Sequence, residues 1–196
     1  MKSLLYSISI FMLLILASVS VPVVTPGANA QQEESGKTLK IVEFGDYQCP
    51  ACRSYHIFLE RLKQDFGDSL SVTYKHFPLQ SHPYAGLAAR AAEAARNQGK
   101  FSEMHNRLFE RQKDWTNSNA RLLIKSYAKD LELDIEQFTE DWNSLDTFNK
   151  VRDDKERGKQ RDVRGTPTLF IDDEKIPLPM NYNQLKAYLQ KQLATL

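Results

Sequence analysis

The sequence predicts an α/β fold in which a sheet of about four or five strands is interrupted by a large all-helical insertion after the second strand. Short runs rich in β-branched residues occur near residues 40 and 70 and again near residue 168. Over about residues 82–162, apolar residues recur at the helical period and do not alternate as they do in a strand. Amphipathic helical patterns follow the first strand and the last. The predicted order is strand, helix, strand, helical insertion, strand, strand, helix.

The first strand and helix are marked by local signals. Lys40–Phe44 reads as a short buried strand that ends at Gly45. A helix then begins at about Pro50, because proline suits the first helical turn, where its missing N–H would be unpaired anyway. A second strand follows at Leu70–Phe77. The apolar face of the helix has the three-and-four spacing of a buried stripe and consists of Ala51, Tyr55, Phe58, Leu59, Leu62 and Phe66.

The helical insertion contains several segments with the helical period. They are Tyr84–Ala95, Phe101–Arg111, Asn119–Asp130 and a segment from Ile135 to Leu145. Strand character returns at Thr168–Ile171, and a hairpin is expected through Asp172-Asp173 into Lys175-Ile176. A last amphipathic helix runs from about Tyr182 to Leu193. No internal repeat is present.

The N-terminus has the pattern of an export signal. Lys2 gives the N-terminal end of the segment a positive charge, and Leu4–Val19 is apolar apart from serines. Ala28-Asn29-Ala30 then places small residues at the two positions that a signal peptidase reads. We therefore expect residues 1–30 to be a signal peptide that is removed by cleavage.

Cleavage would leave a flexible lead-in over residues 31–38 and one domain over residues 39–196. The alternative is an uncleaved N-terminal membrane anchor, because the apolar stretch up to Val24 approaches the ~20 residues that span a bilayer. An exported domain works in the periplasm or otherwise outside the cytoplasm, in an oxidising compartment where disulfides persist.

The charge balance argues against nucleic-acid binding. The chain has 26 basic and 25 acidic residues, and without residues 1–30, which include Lys2, its formal net charge is zero. A protein that binds a phosphate backbone needs a basic excess on one face. The dense run from Lys150 to Arg164 is mixed in sign, which is typical of a solvated helix face.

The two cysteines of the chain form the motif Cys49-Pro50-Ala51-Cys52, where a strand gives way to a helix. A thiol in the first helical turn faces unpaired backbone N–H groups and the positive end of the helix dipole, which favour the thiolate. The thiolate is the nucleophile of disulfide exchange. Two intervening residues bring the sulfurs within bonding reach. The motif predicts a redox pair in which Cys49, nearer the open end of the helix, attacks.

Two other interpretations of the motif remain open. One is a structural disulfide within a binding or chaperone module, although so short a loop constrains the unfolded chain little. The other is a metal-capturing site made of Cys49, Cys52 and His56. Structural zinc normally takes four protein ligands, and the chain has no second cysteine pair. We therefore expect no metal at the site.

Three segments together resemble the DsbA-like branch of the thioredoxin-like oxidoreductases. They are Val42–Cys52; Tyr74–Leu79 with His82–Ala85; and Val163–Ile171, which contains Gly165-Thr166-Pro167-Thr168. The resemblance covers roughly Leu39 to the last helix and implies a thioredoxin-like fold. It also implies thiol–disulfide exchange on exported polypeptides, with disulfide formation as the expected direction. A reductase or isomerase of the same fold is the alternative.

The resemblance assigns roles to three further residues. Pro167 matches a proline that relatives hold in the cis form beside the cysteines, and the backbone of Thr166 would then pair with a substrate strand. Glu43 matches a buried acid beneath the second cysteine. Burial raises the pKa of a carboxyl, so Glu43 is the expected proton acceptor for the Cys52 thiol.

The dipeptide between the cysteines departs from the strongly oxidising relatives. They have a histidine after Pro50, whose charge favours the thiolate, and this chain has Ala51. The departure leaves the direction of exchange open. No bound cofactor is implied. The implied partners are cysteine-containing exported polypeptides and a membrane protein that re-oxidises or re-reduces the pair, and the chain is expected to be a monomer.

Overall fold

The structure is a computed structural model that describes residues 38–117 and 119–195. The signal peptide predicted over residues 1–30, and the predicted lead-in up to residue 37, lie outside the described residues. Within the described part of the chain, no helix is both long enough and apolar enough to cross a bilayer.

Four strands form one sheet, in the order β2-β1-β3-β4. The first strand, β1, runs parallel to β2 and antiparallel to β3, and β3 runs antiparallel to β4. Lying between β2 and β3, β1 is buried along most of its length. The strands are β1 (Leu39–Gly45), β2 (Leu70–His76), β3 (Thr168–Ile171) and β4 (Glu174–Lys175).

The helices match the predicted order. Among the described residues, α2 to α7 lie between β2 and β3, so the predicted α/β fold with a helical insertion is confirmed. The helices are α1 (Pro50–Phe66), α2 (Ala85–Arg96), α3 (Phe101–Glu110), α4 (Gln112–Trp115), α5 (Ala120–Asp130), α6 (Ile135–Asn143), α7 (Leu145–Gln160) and α8 (Tyr182–Ala194).

Two main apolar clusters hold the fold together. One joins the sheet to α1 and α8 and includes Ile41, Leu62 and Leu189. The other fills the helical insertion, where the alanine-rich face of α2 lets neighbouring helices approach closely, and it also contains Cys49 and Cys52. The cysteines therefore lie where the insertion meets the sheet.

Two sequence predictions about buried faces were wrong in detail. Ala51 is exposed, and the buried face of α1 instead includes Cys52 and His56. The buried stripe of α1 therefore begins at Cys52, one residue later than predicted. In α7, most of the charged run is solvated as predicted. Asp154 is the exception: its carboxylate is buried, and hydrogen bonds from Lys75 and Lys150 compensate for the lost solvent.

Candidate active site

The two cysteines occupy different environments at the start of α1. Cys49 is the N-cap residue, with an extended backbone, and Pro50 occupies the first helical position as predicted. Cys49 is 7% exposed and Cys52 is 0% exposed. Both are free thiols. The first cysteine therefore borders the surface, and the second lies beneath it.

Each sulfur has its own backbone partner. The Cys49 thiol lies 3.4 Å from the backbone oxygen of Thr166. The backbone N–H of Asp46 donates to the Cys52 sulfur at 3.4 Å. Cys49 thus faces the loop before β3, whereas Cys52 faces the end of β1.

The pKa values of the two thiols move in opposite directions. The pKa of Cys49 is lowered to about 5, chiefly by a hydrogen bond from the Cys52 thiol and further by backbone N–H donors of the first helical turn. Burial raises the pKa of Cys52 well above its ordinary value, and the hydrogen bond to Cys49 raises it further. Near neutral pH, the pair holds a thiolate at the surface and a thiol beneath it.

Glu43 lies in β1, close enough to the cysteine pair for their charges to influence one another. It is 2% exposed, and its Oε1 atom has no hydrogen-bond partner among the described residues. Burial raises its pKa to about 8, and the charge of Cys49 adds to the shift. Glu43 also lines a polar cleft of about 290 Å³ beside Glu60 and Lys63. The carboxyl therefore titrates near the pH at which thiol exchange proceeds.

The loop before β3 lies across from Cys49. The Thr166–Pro167 peptide bond is cis, as the family resemblance implied, and so is the Leu178–Pro179 bond, which no sequence signal indicated. The β1–β3 ladder ends at Thr168. The backbone of Thr166 therefore lies beyond the sheet, next to the sulfur.

A buried aspartate that the sequence analysis missed shapes the loop before Cys49. The Asp46 carboxylate accepts hydrogen bonds from the backbone N–H groups of Gln48, at 2.7 Å, and Leu79, at 2.9 Å, and lies 2.8 Å from Nδ1 of His82. An aspartate that caps an N–H two residues later is a known turn device, so the contact with Gln48 could have been predicted. The contacts with Leu79 and His82 could not.

The helical insertion supplies a second support. The side-chain amide of Gln112, in α4, donates to the backbone oxygens of Tyr47 at 2.8 Å and Cys49 at 2.9 Å. Gln112 is buried. No local sequence signal marks this contact, because it joins residues more than sixty positions apart.

His56 packs against aromatic rings in the core. Its ring stacks on Phe109, with centroids 4.8 Å apart, and meets the edge of His105 at 5.1 Å. Burial lowers the pKa of His56, which favours the neutral ring. In the described part of the chain, no group of three or more His, Cys, Asp or Glu residues could hold a metal ion.

Most of the chain is similar to known proteins of the thioredoxin family. A family model described as Thioredoxin matches residues 35–191. The probable disulfide bond formation protein D of Bacillus anthracis is 30% identical over 176 residues, which cover 85% of this chain and 80% of that protein. The crystal structure of oxidised BdbD from Bacillus subtilis is similar at a TM-score of 0.67 and 25% identity, covering 80% of this chain and 88% of that one.

Other similar proteins are much longer than this chain. The Na⁺/H⁺ antiporter NhaA 1 of Mycolicibacterium vanbaalenii is 41% identical over 136 residues, which are 68% of this chain and 21% of the antiporter. The chain therefore spans about a fifth of the length of this curated relative.

Proposed function

The chain belongs to the thioredoxin family, and on that premise we propose that it is an exported thiol–disulfide oxidoreductase that forms disulfides in cysteine-containing polypeptides. One observation carries the proposal. The pKa of Cys49 is lowered to about 5, whereas the pKa of Cys52, three residues later, is raised. Such a pair combines a nucleophile and good leaving group that borders the surface with a fully buried second thiol.

In the oxidising direction, a substrate thiolate attacks the Cys49 sulfur of the Cys49–Cys52 disulfide. Cys52 leaves with the electron pair of the broken S–S bond and takes a proton. A second substrate thiolate then attacks the substrate sulfur of the mixed disulfide and expels Cys49 as a thiolate. Two electrons pass from the substrate to the cysteine pair, and the substrate gains a disulfide.

Glu43 acts as the proton donor and acceptor for Cys52. It gives a proton to the departing Cys52 thiolate in the oxidising direction and accepts one in the reducing direction. A pKa of about 8 suits both transfers, because a proton donor or acceptor works best when its pKa lies near the working pH. The polar cleft beside Glu43 gives the carboxyl a route for proton exchange with solvent.

Thr166 and Pro167 form the substrate platform. Thr166 lies beyond the end of the β1–β3 ladder, and its backbone oxygen lies 3.4 Å from the Cys49 thiol. An extended substrate segment would pair with this backbone, which gives affinity that depends little on side chains.

The electrostatics of Cys49 favour oxidation over reduction. A thiolate that is stabilised in the reduced protein makes the corresponding disulfide a stronger oxidant. Here the Cys52 thiol and backbone donors stabilise the thiolate without a histidine after Pro50. A reductase or isomerase of the same fold is the alternative. Continuous turnover needs a membrane partner that re-oxidises the pair in the periplasm or another compartment outside the cytoplasm.

Replacing Cys52 by Ser tests the proposed attack. In Cys52→Ser, Cys49 can form a mixed disulfide that no internal thiol resolves, so disulfide-linked complexes with exported polypeptides should accumulate. The matched control Cys49→Ser should trap none. Equal trapping by both variants, or by neither, would overturn the proposal.

Equilibration of the protein with glutathione buffers gives its reduction potential and settles the direction. An oxidase requires a potential above that of the surrounding thiol pool. A potential near those of cytosolic reductants would favour the reductase alternative.

A further inference from the structure

A second concave surface adjoins the candidate active site. It is a groove of about 600 Å³ between the loop that follows β2, the first half of α2 and one side of α7. Its apolar lining includes Pro83, Tyr84, Leu87 and Phe148. Phe148 is 48% exposed, although it is a large apolar side chain. The groove thus offers open apolar surface on the helical insertion.

The rim of this groove, hereafter the α2–α7 groove, is positively charged. Arg90, Arg152 and Lys155 line it, and no carboxylate does, although Arg152 forms an exposed ion pair with its neighbour Asp153 at 3.1 Å. The Nζ atom of Lys155 donates a hydrogen bond to the backbone oxygen of Pro78 at 2.6 Å. Arg90 is half-buried and makes no hydrogen bond or ion pair with the described residues. A partly desolvated cation without a counter-ion favours an anionic ligand.

One wall of the α2–α7 groove contacts the loop that carries Cys49. The backbone N–H of Tyr84, a groove residue, donates to the side-chain oxygen of Gln48 at 2.8 Å. Gln48 directly precedes Cys49. In a mixed disulfide with Cys49, the part of the substrate chain that extends past Gln48 would therefore reach the groove.

We propose that the α2–α7 groove binds the substrate segment next to the reacting cysteine and selects segments that carry an apolar side chain close to a carboxylate. The apolar lining would bury the side chain, and Arg90 and Arg152 would pair with the carboxylate. The inference rests on the proposed function, because it names the kind of polypeptide on which the cysteine pair acts.

Gly86 provides a means to close the groove without disturbing the core. It lines the groove in the first turn of α2, and a Cβ atom placed on it would meet no other atom within 4 Å. Leucine is a good helix former. Because Gly86 lines the groove and has open space beside it, the side chain of Gly86→Leu would fill part of the groove. Arg90→Gln would remove the unpaired charge and leave a polar side chain at the same position.

Oxidation of two designed dithiol peptides tests the inference. The peptides share two cysteines and an apolar flanking residue and differ by two glutamates or two lysines beside it. In each reaction, the oxidised protein takes two electrons from the peptide, whose two thiols lose their protons and form a disulfide. The rate with each peptide is divided by the same variant's rate with glutathione, which reports exchange at the cysteine pair alone.

We expect the glutamate peptide to be oxidised about tenfold faster than the lysine peptide at low salt, and the preference to shrink as salt rises. Gly86→Leu should remove the preference, and Arg90→Gln should reduce it to about a third or less of its value. Lys129→Gln is the matched control: it changes net charge equally at an exposed site on α5, away from the groove lining, and should keep the preference.

Several outcomes would overturn the inference. One is a wild-type protein that oxidises both peptides equally; another is a preference that survives both Gly86→Leu and Arg90→Gln. If Gly86→Leu unfolds, Arg90→Gln with Arg152→Gln decides instead. A groove that binds oleate but discriminates neither peptide would be a lipid site. Loss of exchange with glutathione itself would instead contradict the proposed function.

Discussion

Cys49 and Cys52 share one hydrogen bond, and that bond moves their pKa values apart. It is the largest cause that lowers the pKa of Cys49, and it adds to burial in raising that of Cys52. Ala51, between them, is exposed. The Cys52 thiol and the backbone N–H groups of the first helical turn therefore stabilise the thiolate, and the Ala51 side chain takes no part.

Glu43 should control how fast Cys52 loses its proton. We predict that Glu43→Gln slows resolution of a Cys49 mixed disulfide by Cys52 about 10²-fold at neutral pH, because glutamine can neither accept nor donate that proton. Stopped-flow release of a thiol from a preformed mixed disulfide measures this step. The attack of Cys49 on a disulfide, measured in a Cys52→Ser background, is the control. Equal slowing of both steps would indicate a general distortion of the site.

At the scale of elements, local signals accounted for most boundaries. Pro50 and Gly67 mark the ends of α1, and Gly67 adopts a positive φ of 51°. The predicted hairpin turns through Asp172 and Asp173, which both have positive φ values. Sequence analysis could find these elements because the residues that fix them lie within or next to them.

Contacts between distant elements could not be predicted in this way. Gln112 reaches Cys49 across 63 positions, and Asp46 reaches His82 across 36. Buried Asp154 looked like part of a solvated charged run, because its partner Lys75 lies on a strand 79 residues earlier. The position of the two cysteines at the start of a helix could be predicted from the sequence, whereas the polar groups that hold their loop in place could not.

The packing of α7 on the sheet gives a prediction with a matched control. A Cβ atom on Gly158 would lie 2.7 Å from the ring of Phe77 and 3.0 Å from that of Phe44. Gly158→Ala should therefore lower the free energy of unfolding by about 1–3 kcal/mol. Gly86→Ala, on α2, meets open space and should be neutral or stabilising by up to about 1 kcal/mol. Urea unfolding of both variants measures the contrast, and equal stabilities would contradict this packing.

At the scale of the whole molecule, the family resemblance is confirmed and explains the architecture. A thioredoxin family model and a disulfide bond formation protein match most of the chain, and the helical insertion lies between β2 and β3. The insertion brings Gln112 to the cysteine loop, and its α2–α7 groove borders that loop. The predicted signal peptide and the roles of the site residues remain predictions.

The lowered pKa of Cys49 ties the stability of the reduced protein to pH. A thiol with a folded-state pKa of about 5 and an ordinary value of 9.0 contributes stability that is fully present above pH 9.0 and is lost as pH falls through about 5. We predict that the free energy of unfolding of the reduced protein, minus that of the oxidised protein, rises with pH across this range. A Glu43→Gln background removes the buried carboxyl, which would titrate in the same range.

Denaturant unfolding of both redox forms between these pH values measures that difference. The reduced Cys49→Ser variant is the control, since it has no surface thiolate and its stability should not rise in this way. A difference that stays flat with pH in the Glu43→Gln background would mean that folding does not stabilise the Cys49 thiolate.

Titration of Cys49 shows whether the first thiol of the pair is held as a thiolate at neutral pH. Thiolate ultraviolet absorbance and the rate of alkylation by iodoacetamide are followed against pH in the reduced protein, with Cys49→Ser to identify the signal. The account predicts that Cys49 ionises with a pKa of about 5 and is alkylated in mild acid, while Cys52 stays protonated and unreactive. A Cys49 thiol that ionises near 9.0, or that resists alkylation when reduced, would contradict it.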